Sequence, residues 1–241
     1  MCEYFYTSRK TVGRQMEALR ESRGPSLRPH SVVDGVYDII YERLMSLAIA
    51  PGARIPIDVL ARDLDVSQTP VREALSRLER EGLVNKAHLI GYSAAPQLGR
   101  KEFQDLFDFR LLVEPEGARL AAMNMTPEAL SHLEAIAADM ADGTAPVDRT
   151  SRYSRFARID AHFHDEIMRI GGNEVIRSTL FNQHVHLHLF RLLFHSRVTQ
   201  EALEEHEKLL AAFRAGDAAA AEQAMREHIE RSWGRLMLAF E

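Results

Sequence analysis

The run LARDLDVSQTPVREALSRLEREGLVNKAHLIGYSA, Leu60 to Ala94, decides the fold. It reads as a short helix, a tight turn, a second helix and a two-stranded wing. Leu60, Ala61 and Leu64 give the first helix an apolar edge, and Asp65-Val66-Ser67 makes the turn with Val66 directed inward. Pro70 suits the first turn of the next helix, where its missing N–H would be unpaired in any case. Ser67 or Thr69 can cap that start. Val71, Ala74, Leu75 and Leu78 then form one helical stripe, leaving Gln68, Thr69, Arg72 and Arg77 on the other side. A helix that begins with short hydrogen-bonding side chains and Arg suits the major groove of DNA. Gly82 ends the helix. Leu83-Val84 and Tyr92-Ser93-Ala94 read as two strands around a turn at Gly91.

These residues closely resemble the winged helix-turn-helix of the GntR family of bacterial transcription regulators. The resemblance rests on Pro51-Gly52, Leu60-Ala61, the run from Val66 to Leu75, Leu78-Glu79 and Glu81-Gly82-Leu83-Val84. Gln68 stands where the family usually has Arg, and Ile90 stands before Gly91 where Arg is usual. Asp58 lies where some members place a DNA-contacting Arg. The resemblance implies DNA contacts from Ser67, Gln68, Thr69, Arg72 and Arg77, and from His88 and Gly91 at the wing. Among these, Arg72 is expected to read bases, and Arg77 to touch phosphate or remain solvated.

Working outward, residues 1–30 mix Arg, Ser, Gly and Pro without periodicity and read as a mobile extension. A helix is expected from Ser31 to Ala48, with Val36, Ile40, Leu44 and Leu47 on one stripe and Pro51-Gly52 after it. The winged module is expected over residues 31–95, a linker over 96–99, and an all-helical effector-binding and dimerisation domain over 100–241. The whole is a mainly α chain: a winged helix-turn-helix followed by an antiparallel helical bundle. Six helices are expected in the second part. They span Arg100 to Met123 with a kink at Pro115, Thr126 to Asp142, 149–170, Asn173 to Phe194, Thr199 to Gly216, and Asp217 to Phe240.

Charge divides along the same line. Residues 1–97 hold 13 Lys/Arg against 12 Asp/Glu, and residues 98–241 hold 17 against 23. Phosphate neutralisation by one winged module is therefore modest, and two copies on one site are expected. Cys2 is the one cysteine, which excludes an intrachain disulfide. No signal peptide or membrane-spanning run is evident, so a cytoplasmic protein with no membrane partner is expected.

The second half holds 9 of the 11 histidines. Phe156, Phe163 and Ile167 share a helical face with Asp160 and His164. His206 lies among Leu203, Leu210 and Phe213, and His228 borders Ala221, Ala224 and Met225. Ionisable groups on apolar stripes are costly unless paired. One Asp and three His from three helices can converge on a borderline divalent cation. Taken singly, each also reads as an ion pair or a hydrogen-bonded core histidine. His184 and His188, with His186 and His195 near them, are a rival set, read here as a His-rich helix facing solvent or a dimer seam. Arg110 heads inward among Phe103, Leu106, Phe107 and Val113. It is either neutralised by Glu114 or free to clamp a ligand carboxylate.

This half resembles the FadR C-terminal ligand-binding domain (FCD), through Asp160, Phe163-His164, Glu205-His206, Gly216-Asp217 and His228. The helix count suggests its six-helix variant. The resemblance implies a metal held by Asp160, His164, His206 and His228, zinc first and nickel or manganese next. It also implies an effector pocket touched by Arg110 and Asn173, although Asn173 can equally cap a helix. The function expected is a homodimeric regulator, a repressor by the family's commoner habit. It would bind a palindromic operator on double-stranded DNA and respond to a small carboxylate at a metal-containing pocket. The alternatives are a regulator for which the metal is the signal, and a metal-dependent hydrolase.

Overall fold

The computed structural model describes residues 31–141, 149–192, 198–237 and 240. The expected N-terminal extension, the helix end near Gly143, and His195 lie outside the described residues. The chain opens with α1, Val32–Met45, whose buried stripe is Val36, Tyr37, Ile40, Tyr41, Leu44 and Met45. It ends before Leu47, which adopts a left-handed φ of 59°. Strand β1, Arg54–Ile55, leads into α2, Ile57–Asp63, and then α3, Gln68–Arg80. Helix α3 buries Val71, Ala74, Leu75 and Leu78, the stripe that its sequence spacing predicts. Asp65 takes a φ of 51° in the turn, and Gly82 closes α3 at a φ of 69°, where glycine carries no Cβ penalty.

The wing is formed by β2, Val84–Ala87, and β3, Gly91–Ala94, paired antiparallel with Lys86 opposite Tyr92. The sequence pattern predicts two strands. The sheet has three, in the order β1-β3-β2, with Ile55 opposite Tyr92. A two-residue strand cannot display alternation, and in β1 only Ile55 is buried.

Beyond the linker, α4 spans Arg100–Asn124 without a break. Glu102 accepts from the Gly99 N–H at 2.8 Å and satisfies one free donor of its first turn. The helix runs on through Pro115 and does not end there. Proline removes one helical N–H, but α4 is held on two sides by α6 and α10. Next come α5, Pro127–Ala141, and α6, Arg149–Gly171. Thr126 caps α5 through the Ala129 N–H at 3.2 Å.

The single helix expected from Asn173 to Phe194 is two: α7, Glu174–Asn182, and α8, Val185–Leu192. The break falls at His184, which turns left-handed at a φ of 49°. No Gly or Pro announces it. Helices α9, Val198–Ala215, and α10, Ala218–Met237, complete the bundle, with Asp217 capping α10 through the Ala220 N–H at 2.9 Å. The described bundle thus contains seven helical segments rather than six. Its centre is apolar, with Phe103, Phe107, Phe163, Ile167, Leu209 and Ile229 all buried. Among the described residues, no helix is long and apolar enough to cross a membrane.

Candidate metal centre and nucleic-acid interface

Five bundle helices send ionisable side chains to one point. Helix α6 contributes Asp160 and His164, α8 His186, α9 Glu205 and His206, α10 His228 and Arg235, and α4 Arg110 and Glu114. All but Arg235 are buried. The ligand-type nitrogens of His164, His206 and His228 lie within 4.8 Å of one another, and the same holds for the donor atoms of Glu114, His164 and His186. These groups could hold a metal ion. Asp160 belongs with them: its Oδ1 is 3.4 Å from His206 Nε2, and its Oδ2 is 3.2 Å from His186 Nδ1.

Two relays orient the histidines. Arg110 Nε donates to Glu114 Oε1 at 2.5 Å, and Glu114 Oε2 lies 2.9 Å from His164 Nδ1. In parallel, Arg235 grips Glu205 through both oxygens at 2.7 and 2.8 Å, and Glu205 Oε2 lies 2.9 Å from His228 Nδ1. In each, an Arg neutralises a Glu whose other contact fixes an imidazole. That is the usual way to hold a ligating histidine in one tautomer and orientation. With Nδ1 engaged, His164 is left with Nε2 buried and without a hydrogen-bond partner. His206 has neither ring nitrogen hydrogen-bonded. The contact with Asp160 is close but lacks hydrogen-bonding geometry.

The electrostatics favour ligating protonation states. Burial pushes the Glu114 carboxyl up, but the Arg110 charge and the His164 contact outweigh it and hold it well below the ordinary range. Burial likewise opposes ionisation of Asp160, and His186, His164 and His206 together reverse the effect. Glu205 is held at about 2, burial being overcome by Arg235 and His228. Burial, then neighbouring histidines, lower His164 and His206. In His228 burial prevails over the Glu205 contact, and the shift is again downward. Neutral imidazoles beside ionised carboxylates are the forms that bind a cation. A mixed N and O donor set of this kind suits zinc, nickel or manganese.

Several expectations need revision. His186, expected on a His-rich helix facing solvent or a dimer seam, is buried against Asp160, two residues past the break at His184. His188 is largely buried too, and burial, with Arg191 beside it, pushes its pKa down to about 4. Asn173, expected at the effector pocket, is exposed. Its Oδ1 accepts from the Ile176 N–H at 3.2 Å and caps α7. Arg110 does line the gap beside the cluster, but its guanidinium is paired with Glu114. That gap measures about 20 Å³. The roles of Glu205 and Arg235 were not read from sequence. The signal for Arg235 is its seven-residue spacing from His228, two turns along one face of α10.

In the winged module, Ser67 is the N-cap of α3 without a side-chain capping bond. Ser67, Gln68, Thr69 and Arg72 are exposed together, with Arg72 Nη2 3.3 Å from Gln68 Oε1. Arg77 is half-buried instead: it donates to Asp34 at 2.8 Å and lies 4.4 Å over the Tyr37 ring. His88 and Gly91 are exposed at the wing. Arg54, unremarked in the sequence, donates to the Ile90 carbonyl at 2.9 Å and brings a cation to that tip.

Comparison with known proteins agrees with this architecture. Residues 33–91 match the model of bacterial regulatory proteins of the gntR family, and residues 105–231 match that of the FCD domain. An uncharacterized HTH-type transcriptional regulator in unstable DNA locus of Streptomyces ambofaciens is 29% identical over 197 residues, 80% of each chain. The HTH-type transcriptional regulator McbR of Escherichia coli is 28% identical over 172 residues, 70% of this chain and 76% of that one. The solved structure of E. coli McbR/YncC superimposes with a TM-score of 0.65 at 22% identity, covering 88% of this chain and 99% of its own. At that identity the likeness shows the fold alone. These relatives are named as regulators of transcription, not as enzymes.

Proposed function

The chain belongs to the gntR family of bacterial regulatory proteins, in the branch that carries an FCD domain, and on that premise we propose that it is a metal-containing, homodimeric repressor. It is an HTH-type transcription regulator. In this reading α3 enters the major groove, with Arg72 on base edges and Gln68, Thr69 and Ser67 beside it. His88, Gly91 and Arg54 follow the adjacent minor groove. The reading is supported by the joint exposure of these residues on the face opposite the buried stripe of α3. A module with nearly balanced charge needs two copies to hold DNA firmly, hence a two-fold dimer, a palindromic operator and action in the cytoplasm, where the DNA is.

Asp160, His164, His206 and His228 would hold the divalent cation, zinc before nickel or manganese. The observation that carries this is the pair of buried, unpartnered nitrogens, Nε2 of His164 and Nε2 of His206, beside the Asp160 carboxylate. A buried polar atom without a partner costs roughly 1–3 kcal/mol, and a cation would remove that cost. Once bound, the metal supplies a positive centre able to accept a small carboxylate. Arg110 would meet the same carboxylate if it left Glu114. The gap of about 20 Å³ favours a second reading, in which the metal itself is the signal, because that space suits an ion or a water and no organic acid.

Elemental analysis of purified His206→Ala tests the ligand set. Bound metal is expected to fall at least tenfold, and full retention would discredit it. Titration of zinc, then of acetate, into stripped protein while following operator affinity separates the two signals. For DNA, Arg72→Ala is expected to lose roughly 1–3 kcal/mol in specific operator binding with folding intact. A normal gel shift would remove Arg72 from the interface.

A further inference from the structure

A second cavity, of about 300 Å³, lies between the winged module and the bundle. Tyr37 and Tyr41 of α1 and Glu81 at the end of α3 form one wall. Ala161 of α6, Leu180 and Phe181 of α7, and Leu187 of α8 form the other. Its size falls at the lower end of small-molecule sites, which run from roughly 300 to 1,000 Å³.

The charged groups around it already have hydrogen-bonding partners. Arg177 holds both oxygens of Asp165 at 2.9 Å. Arg158 donates to Asp38 at 2.9 Å and lies 4.3 Å over the Tyr41 ring. Glu81 accepts the Tyr37 hydroxyl at 2.5 Å. A charged occupant would have to break one of these pairs or be buried without a counter-ion, and either is costly. An uncharged one needs only to displace water from tyrosyl, leucyl and phenylalanyl surface, which is favourable in proportion to the area covered. We propose that this cavity binds a neutral, mainly apolar small molecule, aromatic or alicyclic, and that its occupancy alters operator affinity.

The regulatory half follows from what the walls touch. The cavity includes the end of α3, the helix read as entering DNA. His184, also on its wall, packs against Gly82 so closely that a Cβ there would fall 2.2 Å from His184 Cδ2. Two residues on, His186 contacts both the cavity and Asp160. A molecule lodged between the modules therefore bears on their mutual angle directly. It shifts DNA affinity by the ratio of its affinities for the two arrangements. This half rests on the reading of the chain as a DNA-binding regulator. The binding half does not.

The test uses the full chain and the neutral fluorophore N-phenyl-1-naphthylamine. Saturable binding at one site per chain is expected, persisting after the metal is removed by chelation, with operator Kd changed about fivefold or more. Ala161→Leu and Ala161→Trp are expected to weaken the fluorophore progressively, the second at least tenfold, while melting curves stay near the parent's. The graded pair keeps the test decisive if the larger side chain impairs folding. Undiminished binding by both variants, or no saturable binding by the parent, would overturn the site. Binding without any change in operator affinity would overturn its regulatory role. Failure of the parent to bind any operator would instead count against the DNA-binding reading and leave the cavity result standing.

Discussion

The winged module and the bundle treat ionisable side chains in opposite ways. Along α3, Arg72, Glu73 and Arg80 are exposed, while the buried stripe is purely aliphatic. In the bundle, Arg110, Glu114, Asp160, His164, Glu205, His206 and His228 are all buried at one point. Water screens an exposed cation and leaves it free to meet phosphate. A buried charge persists only where partners compensate its lost hydration. The first arrangement is cheap to keep and loosely specified. The second is tightly specified, so a gap in its pairing, such as Nε2 of His164, is informative in a way that an unpaired surface arginine is not.

The largest effect that can sharpen this contrast is Glu114→Ala. It removes one partner from both Arg110 and His164, each at most 1% exposed. Breaking a buried pair in this way costs about 3–5 kcal/mol, a fall in Tm of roughly 10 °C for a chain of this size. Arg72→Ala should change Tm by no more than a degree or two. Calorimetry on the two variants decides it: similar small shifts in both would show that the bundle tolerates a lone charge as easily as the surface does.

A smaller effect is expected at the seam between the regions. Gly82 has a φ of 69°, and an added Cβ would meet the His184 ring. The left-handed backbone alone costs an alanine about 1–2 kcal/mol. Displacing the ring adds to that, so Gly82→Ala should lower the urea midpoint visibly. The double variant with His184→Ala should recover the steric part and leave the backbone part. Strictly additive losses would mean that His184 already moves freely and couples nothing to α3.

The same contrast explains what could be read from the sequence. The stripe of α3, the caps at Thr126 and Asp217, and the Asp160–His164 spacing were all legible because each is a local pattern of period or position. The apolar stripes around His206 and His228 marked them in the same way, and the resemblance to a known family grouped them with that pair. What escaped depends on chain direction changing without a local marker. His186 enters the cluster two residues after His184 turns left-handed, and neither Gly nor Pro stands at that turn. Asn173 has the chemistry of either a ligand contact or a cap, and its neighbours in sequence do not distinguish them. The structure makes it a cap. Strand β1 is too short to carry a period, and with it went the place of Arg54 at the wing.

The smallest expected effect concerns Arg77, which belongs to neither extreme. Its side chain is 35% exposed, and it bonds Asp34 while covering the Tyr37 ring. The Asp34 hydrogen bond, more than the desolvation that opposes it, raises its pKa, so it stays charged throughout the working range. A partly exposed pair of this kind contributes only about 0.2–1 kcal/mol, after discounting for solvent screening. If Arg77 keeps Asp34 when DNA is bound, Arg77→Ala should shift operator affinity less than threefold and leave its salt dependence unchanged. If it exchanges Asp34 for a phosphate, the slope of log K against log salt should fall by about one. A titration series in salt distinguishes the two. The first outcome would class Arg77 with the paired groups of the bundle, although it sits on the helix proposed to enter the major groove.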